Sequence, residues 1–509
     1  MKNSCGRWLK KLSVGIFLSG LMTSSASDSY AQNKTGDDRV KEINILKEIL
    51  SIPNDAQYPG YIDQNIAWLK QAFEKRVFLI TLLPSPSRPF LFAERIVDKN
   101  KPVVLFYMHF DGQPVTPSDW KQDDPFKPVL KERQDTGWRT IEWAALQNSY
   151  DAEWRVFARS SSDDKGPIAM FLAAIDRLNE ENKVPAYNIK LILDGEEEKG
   201  SPNLPALVKK HALLLKADRM VILDGPRHTS NEPTLIFGCR GVAQLDLEVF
   251  GPRNDLHSGH YGNYAPNPAF ELSGLLASMK DSKGRVVIPG FYRAIHLSGE
   301  LKKELQKIPD DKVRINHLIG IARDVNPGIT YQEGLQFPSL NILSLSSGKP
   351  ESGTRNIVPA SASAKLDIRL VPESQTHQIE QALKDFISQK GFYIISNRQP
   401  SEEERALHQK IISFHFEVSS LAFVTEPGSP AGAWLSGCME KVFGKSPVKI
   451  RMAGGTVPIA PFIRELGIPA GLLPLVNPDN NQHASDENLR LGNYFEGIST
   501  MRQLLLTAF

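Results

Sequence analysis

In the first half of the chain, apolar residues come in short unbroken runs: Val103–Met108, Ile189–Leu193 and Met220–Leu223. Strands that are apolar at every position belong to sheets covered on both faces. Helical patterns lie between them, such as Pro167–Leu178, which opens on Gly166-Pro167, where the fixed φ of proline suits a first turn. Strands alternating with helices predict an α/β unit built on a mixed, mostly parallel sheet.

From about residue 240 the pattern changes. Gln244–Val249 and Ala360–Leu370 alternate polar and apolar positions, as half-buried strands do. Ala362, Ala364, Leu366, Ile368 and Leu370 share one face, and Lys365, Asp367 and Arg369 the other. A helical stripe of Ile379, Leu383, Phe386 and Ile387 follows. Together these predict a smaller α+β domain with one solvated sheet face. The first texture returns beyond about residue 426, with a helix over Ala433–Phe443 and an apolar run over Ile468–Val476. The expected organisation is an α/β domain in two parts, residues 32–235 and 426–509, interrupted by an α+β domain over 236–425. No internal repeat or low-complexity segment stands out.

The first 31 residues are read separately. Lys2, Arg7, Lys10 and Lys11 precede an apolar run from Leu12 to Met22, and Ser29-Tyr30-Ala31 supplies small residues at a cleavage position. This has the three parts of a secretory signal peptide, with an apolar core short for a membrane span, an N-terminal membrane anchor being the alternative. The expectation is export to the periplasm or the exterior after cleavage near Ala31, with the mature form not bound to a membrane. Cleavage removes four basic residues and one acidic (Asp28) from totals of 60 and 58, leaving 56 against 57. A nearly neutral chain offers no electrostatic footprint for nucleic acid. Cys239 and Cys438 remain, too few for a disulfide framework and no cysteine-based metal site. They are read as two buried thiols, a single bond between them being the alternative.

The chemistry sits at the ends of the apolar runs. Val103–Met108 leads into His109-Phe110-Asp111, Ile189–Leu193 into Asp194-Gly195-Glu196-Glu197-Glu198, and Met220–Leu223 into Asp224. Ile468–Val476 precedes His483 by a short loop, and Asp163 stands just before Lys165-Gly166-Pro167. Ligand sites in open α/β sheets lie beyond the carboxyl ends of the strands, so these groups can converge. Imidazole with carboxylate suits zinc. Two such ions about 3.5–4 Å apart can share a hydroxide and clamp both oxygens of a tetrahedral intermediate. One carboxylate must then bridge, and another, not bound to metal, must carry the proton from water to the leaving amine.

Taken in order, His109-Phe110-Asp111, Ser162-Asp163-Asp164-Lys165-Gly166, Glu196-Glu197-Glu198-Lys199-Gly200-Ser201, Asp224 and His483 resemble the five motifs of one dizinc metallopeptidase family. Its members include carnosinase-type dipeptidases, glutamate carboxypeptidase, aminoacylase and acetylornithine deacetylase. The similarity runs through essentially the whole mature chain. It implies a phosphorylase/hydrolase-like catalytic domain with an inserted ferredoxin-like lid that also forms a homodimer. It implies that His109, Asp163 and Asp224 hold one zinc, that Asp163, Glu198 and His483 hold the other, and that manganese or cobalt can replace them. Glu197 would be the general base and Asp111 the partner of the second nitrogen of His109. A cis peptide between Asp163 and Asp164 is implied as well.

In the insert, Asp255-Leu256-His257-Ser258-Gly259 resembles the lid motif whose histidine stabilises the oxyanion in the partner's active site. Arg355-Asn356-Ile357-Val358-Pro359 and Asp367-Ile368-Arg369-Leu370-Val371-Pro372 resemble other lid segments. They imply Arg369 as the ligand of the substrate carboxylate and Asn356 as a polar contact given in trans. Gly454-Gly455-Thr456 resembles a glycine-rich loop lining the substrate pocket, which makes Thr456 a substrate-binding residue. Glu196 is given no role and is read as a solvated position.

The chain departs from the family pattern at Ala158 and Ser160, where glycines are common, and at Asp194, where glutamate is frequent. If those glycines need positive φ, a side chain there is strained. The function expected is hydrolysis of the amide bond of dipeptides or short peptides next to a free carboxylate, a reading favoured by Trp120 and Asp124-Pro125-Phe126. An N-acyl-amino-acid deacylase of the same family is the first alternative. An inactive exported peptide-binding protein is the second, and Glu197 argues against it, because a binding protein has no use for an unligated base beside two metals.

Overall fold

The computed structural model describes residues 35–325, 330–348, 355–457 and 459–509. The leader expected over residues 1–31 lies outside them.

An eight-stranded sheet forms the centre of the α/β part. Its order is Leu79–Leu83, Phe90–Arg95, Asn188–Asp194, Val103–His109, Arg219–Ile222, Ala470–Leu472, Thr234–Ile236 and Val448–Ile450. The three strands read from the sequence are neighbours and parallel, with His109 directly opposite Asp194. The hairpin at one edge is antiparallel, as is its junction to Asn188–Asp194. The sheet is therefore mixed, with its parallel centre where the unbroken apolar runs predict it.

Helix Lys165–Glu180 explains why one face of that sheet stays dry. It is apolar nearly all round, from Ile168 to Ile175 without a polar residue, and every one of those residues is buried. Such a helix belongs in a core. It packs between the sheet, helix Gly36–Leu50 and helix Leu491–Leu506. Each large aliphatic side chain buried there contributes about 1.5–3 kcal/mol relative to exposure. The first residue of this helix, Lys165, is itself buried. Its Nζ donates to the carbonyls of Ile49 and Ile52 at 3.0 and 2.5 Å, which pins the C-terminal end of Gly36–Leu50 to the turn preceding the buried helix.

Of the apolar run Ile468–Val476, only Ala470–Leu472 pairs as a strand. Pro469 and Pro474 flank it, and proline has no N–H for a ladder. A second, four-stranded sheet that the hydropathy pattern does not predict joins Asn488–Arg490, Arg155–Phe157, Val129–Gln134 and Gly137–Ile141.

The strands of the third sheet all fall within the expected insert, between Gly241 and Ser420. Its order is Ser339–Ser347, Ser361–Leu370, Gly241–Phe250, Ile411–Ser420 and Tyr393–Ser396, antiparallel except for the last pair. The alternation assigns the apolar face correctly, while Asp367 on the face expected to be solvated is buried. Ala362, Ala364, Leu366, Ile368 and Leu370 are buried under helices Pro268–Ser278 and Thr376–Gln389. On the other face Lys365 pairs with Asp246 across the strands at 3.0 Å. The edge strand Ser339–Ser347 leaves Ile342, Leu343 and Leu345 exposed.

A helical arm, Gly299–Gln306, Lys312–Ile319 and Tyr331–Leu335, which no pattern in the sequence predicts, leans on the α/β part. Leu305 and Ile308 of the arm bury themselves with Tyr107 and Phe462 of the α/β part, and Asp310 meets His228 at 3.0 Å. Cys239 and Cys438 are buried free thiols. No described helix is long and apolar enough to cross a membrane.

Candidate active site

The carboxyl end of the parallel strands carries two groups of side chains able to hold a metal ion. His109, Asp163 and Asp224 offer ligand atoms within 4.8 Å of one another, and so do Asp163, Glu198 and His483. Asp163 belongs to both. Its Oδ1 lies 2.9 Å from Nε2 of His109 and its Oδ2 3.0 Å from Nε2 of His483. Nε2 of His483 is also 3.3 Å from Oε2 of Glu198. Nitrogen and carboxylate donors in two triads sharing one carboxylate match what a pair of borderline divalent ions such as zinc requires.

Local chain geometry accounts for each position. His109 is the last residue of its strand, where pleating aims it over the sheet edge. Its Nδ1 faces Asp111 Oδ1 at 3.3 Å and its Nε2 faces Asp163 Oδ1 at 2.9 Å, so the protonated ring donates to both carboxylates, and the Asp111 bond is the one that would keep a proton on Nδ1 when Nε2 holds a metal. Asp111 also accepts from the backbone N–H of Glu197 at 3.2 Å and of Glu198 at 3.1 Å. One carboxylate thus orients the histidine and holds the turn Glu197–Lys199. That turn is closed from the other side by Asp194, whose carboxylate accepts from Tyr107 Oη at 2.9 Å, Ser201 Oγ at 2.6 Å and the Glu196 N–H at 2.9 Å. The aspartate at position 194 is therefore fully used. Glu196, read as solvated, is instead buried and accepts from Asn203 at 3.0 Å, because the turn folds it back under its own loop.

The peptide bond between Asp163 and Asp164 is cis, as the resemblance implies. Of the two positions where glycine was missed, Ser160 has φ +60° and Ala158 is not among the residues with positive φ. A serine in the left-handed region costs on the order of 1 kcal/mol. Its N–H donates to Glu487 at 2.8 Å and its Oγ accepts from Asn54 at 2.9 Å, which offsets that cost. Gly112 packs against it so closely that a Cβ there would lie 2.3 Å from Ser160 Oγ.

The carboxylates repel one another, and burial makes the repulsion strong. Burial, opposed by His109 and reinforced by Asp224, Asp163 and Asp111, raises Glu197 to about 9. Burial and Asp163 raise Glu198 to about 7, and burial with Asp163 raises Asp224 to about 6. Asp163 goes the other way: burial disfavours its charge, yet hydrogen bonds from His109 and His483 hold it well below the usual carboxylate range. A half-buried glutamate with a strongly raised pKa beside four other acidic groups is a candidate acid–base residue.

The remaining candidates form two further groups. Arg369, near the end of its strand, donates from Nε to Asp367 at 3.1 Å and from Nη1 to Thr456 Oγ1 at 3.2 Å. Thr456 in turn donates to the carbonyl of Arg240 at 2.6 Å, so the arginine and the glycine-rich loop meet as one unit. His257 and Asn356 come together on the two-stranded ladder Leu256–His257 with Ile357–Val358, and both are exposed. His257 Nδ1 accepts from the Gly259 N–H at 3.0 Å. Among the described residues no hydrogen bond or ion pair links either of them to the groups around Asp163.

Two residues beside the cluster escaped sequence reading. Gln113 donates to Glu198 Oε2 at 2.6 Å. Glu487 underlies the Asp163 loop, and its only signal in the sequence is its place four residues after His483. Trp120, singled out with Asp124-Pro125-Phe126, lies under the Arg159 guanidinium at 5.2 Å, and the Pro125 carbonyl accepts from the Arg159 N–H at 2.8 Å. Both contacts support the same loop.

Comparison with known proteins agrees with this geometry. The chain is 28% identical over 427 residues to the mouse (Mus musculus) Beta-Ala-His dipeptidase, covering 82% of this chain and 78% of that one. It is 26% identical over 422 residues to a Cys-Gly metallodipeptidase of Schizosaccharomyces pombe, covering 81% of each. Its fold superposes with a TM-score of 0.72 on an M20 family metallo-carboxypeptidase from Sulfolobus solfataricus, 27% identical, over 91% of this chain and 98% of that one. The model of peptidase family M20/M25/M40 matches residues 105–507. The chain belongs to that family and is a metallo-hydrolase.

Proposed function

We propose that this enzyme is an exported dipeptidase that cleaves the amide bond next to a free C-terminal carboxylate. Two zinc ions would be held by His109, Asp163 and Asp224 and by Asp163, Glu198 and His483. The observation that carries the reading is the division of Asp163, one oxygen toward each histidine. When bound, the ions supply a Lewis acid for the scissile carbonyl and acidify a water toward neutral pH. Glu197 is not among the ligand candidates; it takes the water's proton and returns it to the departing amine. Asp111 keeps His109 in the required tautomer and holds the Glu197 turn. Arg369, braced by Thr456, receives the substrate's carboxylate through its planar fork.

The developing oxyanion gains from a further preorganised donor. His257, exposed and joined to nothing in the cluster of its own chain, supplies it to a second copy, with Asn356 beside it. The vehicle is a homodimer through the insert, whose edge strand leaves three large apolar side chains uncovered. An exposed apolar edge strand is a template for pairing with another chain.

The test is turnover of a panel by zinc-loaded protein: free dipeptides, C-terminally amidated dipeptides and N-acetyl amino acids. The proposal expects free dipeptides to be cleaved best and amidated ones poorly. Preference for N-acetyl amino acids would make the enzyme a deacylase, and efficient cleavage of amidated dipeptides would contradict the role of Arg369.

A further inference from the structure

Immediately beneath the bridging aspartate lies a buried carboxylate that is no part of the ligand set. Glu487 is 0% exposed, and four donors converge on it. Its Oε1 accepts from the backbone N–H of Ser162 at 2.9 Å and of Asp163 at 3.0 Å. Its Oε2 accepts from the Ser160 N–H at 2.8 Å and from Arg159 Nη1 at 2.8 Å. Its own carbonyl accepts from the Ala158 N–H at 3.1 Å. The loop that delivers Asp163 is therefore wound around a single anion, a concave arrangement of successive N–H groups suited to negative charge.

The other side of Glu487 leads to the second histidine. Its neighbour Asn488 pairs with Phe157 in the small sheet, and the Asn488 N–H and side chain donate to the Asn480 carbonyl at 2.8 and 3.3 Å. Those bonds close the loop Asn480–Asn488 that carries His483. Glu487 thus sits where the loop of the shared ligand and the loop of a terminal ligand are tied together, a junction that Ser162 Oγ joins by donating to the Asn488 carbonyl at 2.9 Å. A buried glutamate beside Asp163 adds like charge to an already acidic site, and Arg159 compensates it at 2.8 Å. A residue serving packing alone would be better replaced by an apolar side chain.

We propose that Glu487 is the positioning residue of the bridging aspartate, fixing the Arg159–Asp163 loop so that the two Asp163 oxygens divide between the two metal positions. The proposal rests on the reading of Asp163 as the bridging ligand. Glutamine is nearly isosteric at position 487 but presents an NH2 where the carboxylate has an acceptor. Either orientation sets donors against donors on one side of the loop, which a buried site tolerates poorly.

The experiment compares zinc affinities of the intact enzyme, Glu487→Gln and Asp163→Asn, by competition with a chelator, at a temperature where circular dichroism shows each protein folded. The expected result for Glu487→Gln is weakening of both ions by about 10–100-fold, the range seen when an outer partner of a metal ligand is removed. Both should suffer because Asp163 is shared. A purely structural Glu487 would lower the melting temperature of the metal-free protein and leave both affinities of the folded protein unchanged, which would overturn the proposal. If Asp163→Asn itself leaves both affinities unchanged, the bridging reading fails, and the proposal with it. If Asp163→Asn is impaired and Glu487→Gln is not, only the positioning role fails. Should Glu487→Gln not fold, Glu487→Asp, which keeps the charge but withdraws it by one methylene, is measured against the same outcomes.

Discussion

Asp111 holds Glu197 by its backbone rather than by its side chain: Oδ1 of the aspartate accepts the Glu197 N–H at 3.2 Å. The same oxygen faces Nδ1 of His109 at 3.3 Å. The histidine and the acid–base candidate are thereby set relative to each other through one carboxylate, and the Glu197 side chain stays available for chemistry.

From this follows a separation of roles between adjacent glutamates. Glu197→Gln should keep both zinc ions while turnover falls by at least ~10²-fold. Glu198→Gln should lose one of the two ions, because Glu198 lies 3.3 Å from His483 in the second group. Elemental analysis alongside steady-state kinetics distinguishes them, and normal turnover in Glu197→Gln would remove the mechanism.

The pKa shifts predict how the metal-free protein responds to pH. Asp224 is raised to about 6, Glu198 to about 7 and Glu197 to about 9, and His483 is raised from 6.5 to about 9. In every case the folded state binds more protons than the unfolded chain, so the stability these groups confer is lost as pH rises through the folded values. Asp163 has the opposite sign, but its window lies below 3.8. Chelated protein should therefore melt at progressively lower temperature from about pH 5 to pH 9. Zinc, which takes the deprotonated ligands, should flatten the profile and bind more tightly as pH rises. A chelated protein that gains stability over this range would contradict the shared acidic site.

Arg369→Lys keeps the charge and loses the fork. The expected result is a raised KM for free dipeptides with kcat much less affected, and a similar though smaller change for Thr456→Ala, which removes the 3.2 Å brace. An unchanged KM in both would separate this pair from substrate binding.

Mixing two inactive variants examines the lid histidine. Homodimers of His257→Ala and of Glu197→Gln should each be nearly inactive. After subunit exchange, a hybrid pairs an intact base with an intact lid histidine at one of its two sites, and activity should return there. Hybrids that form and stay inactive would show that His257 does not act across subunits.

What could be read beforehand followed from periodicity and order. Unbroken apolar runs located the parallel centre of the sheet, and alternation over Ala360–Leu370 located its counterpart in the insert. The strand ends then located His109, Glu198 and Asp224, and the same edge took in Asp163 before its helix and His483 after a short loop, while the division of these residues between two metals came from the resemblance. Elements whose stability comes from distant partners were invisible. The helices Gly299–Gln306, Lys312–Ile319 and Tyr331–Leu335 are each too short to stand out by period, and the arm is held by Leu305, Ile308 and the Asp310–His228 contact. Three-residue strands such as Arg155–Phe157 and Asn488–Arg490 are too short to show a period. Glu487 could not be singled out because its role is to receive backbone N–H groups more than three hundred positions earlier in the chain.

The central claim, two ions joined by Asp163 in a dipeptidase, is tested most directly by titrating zinc into the chelated enzyme while following hydrolysis of a free dipeptide. The account predicts two equivalents bound per chain, full activity only when both are present, and neither full binding nor activity in Asp163→Asn. Full dipeptidase activity with no metal, or with a single equivalent, would contradict it.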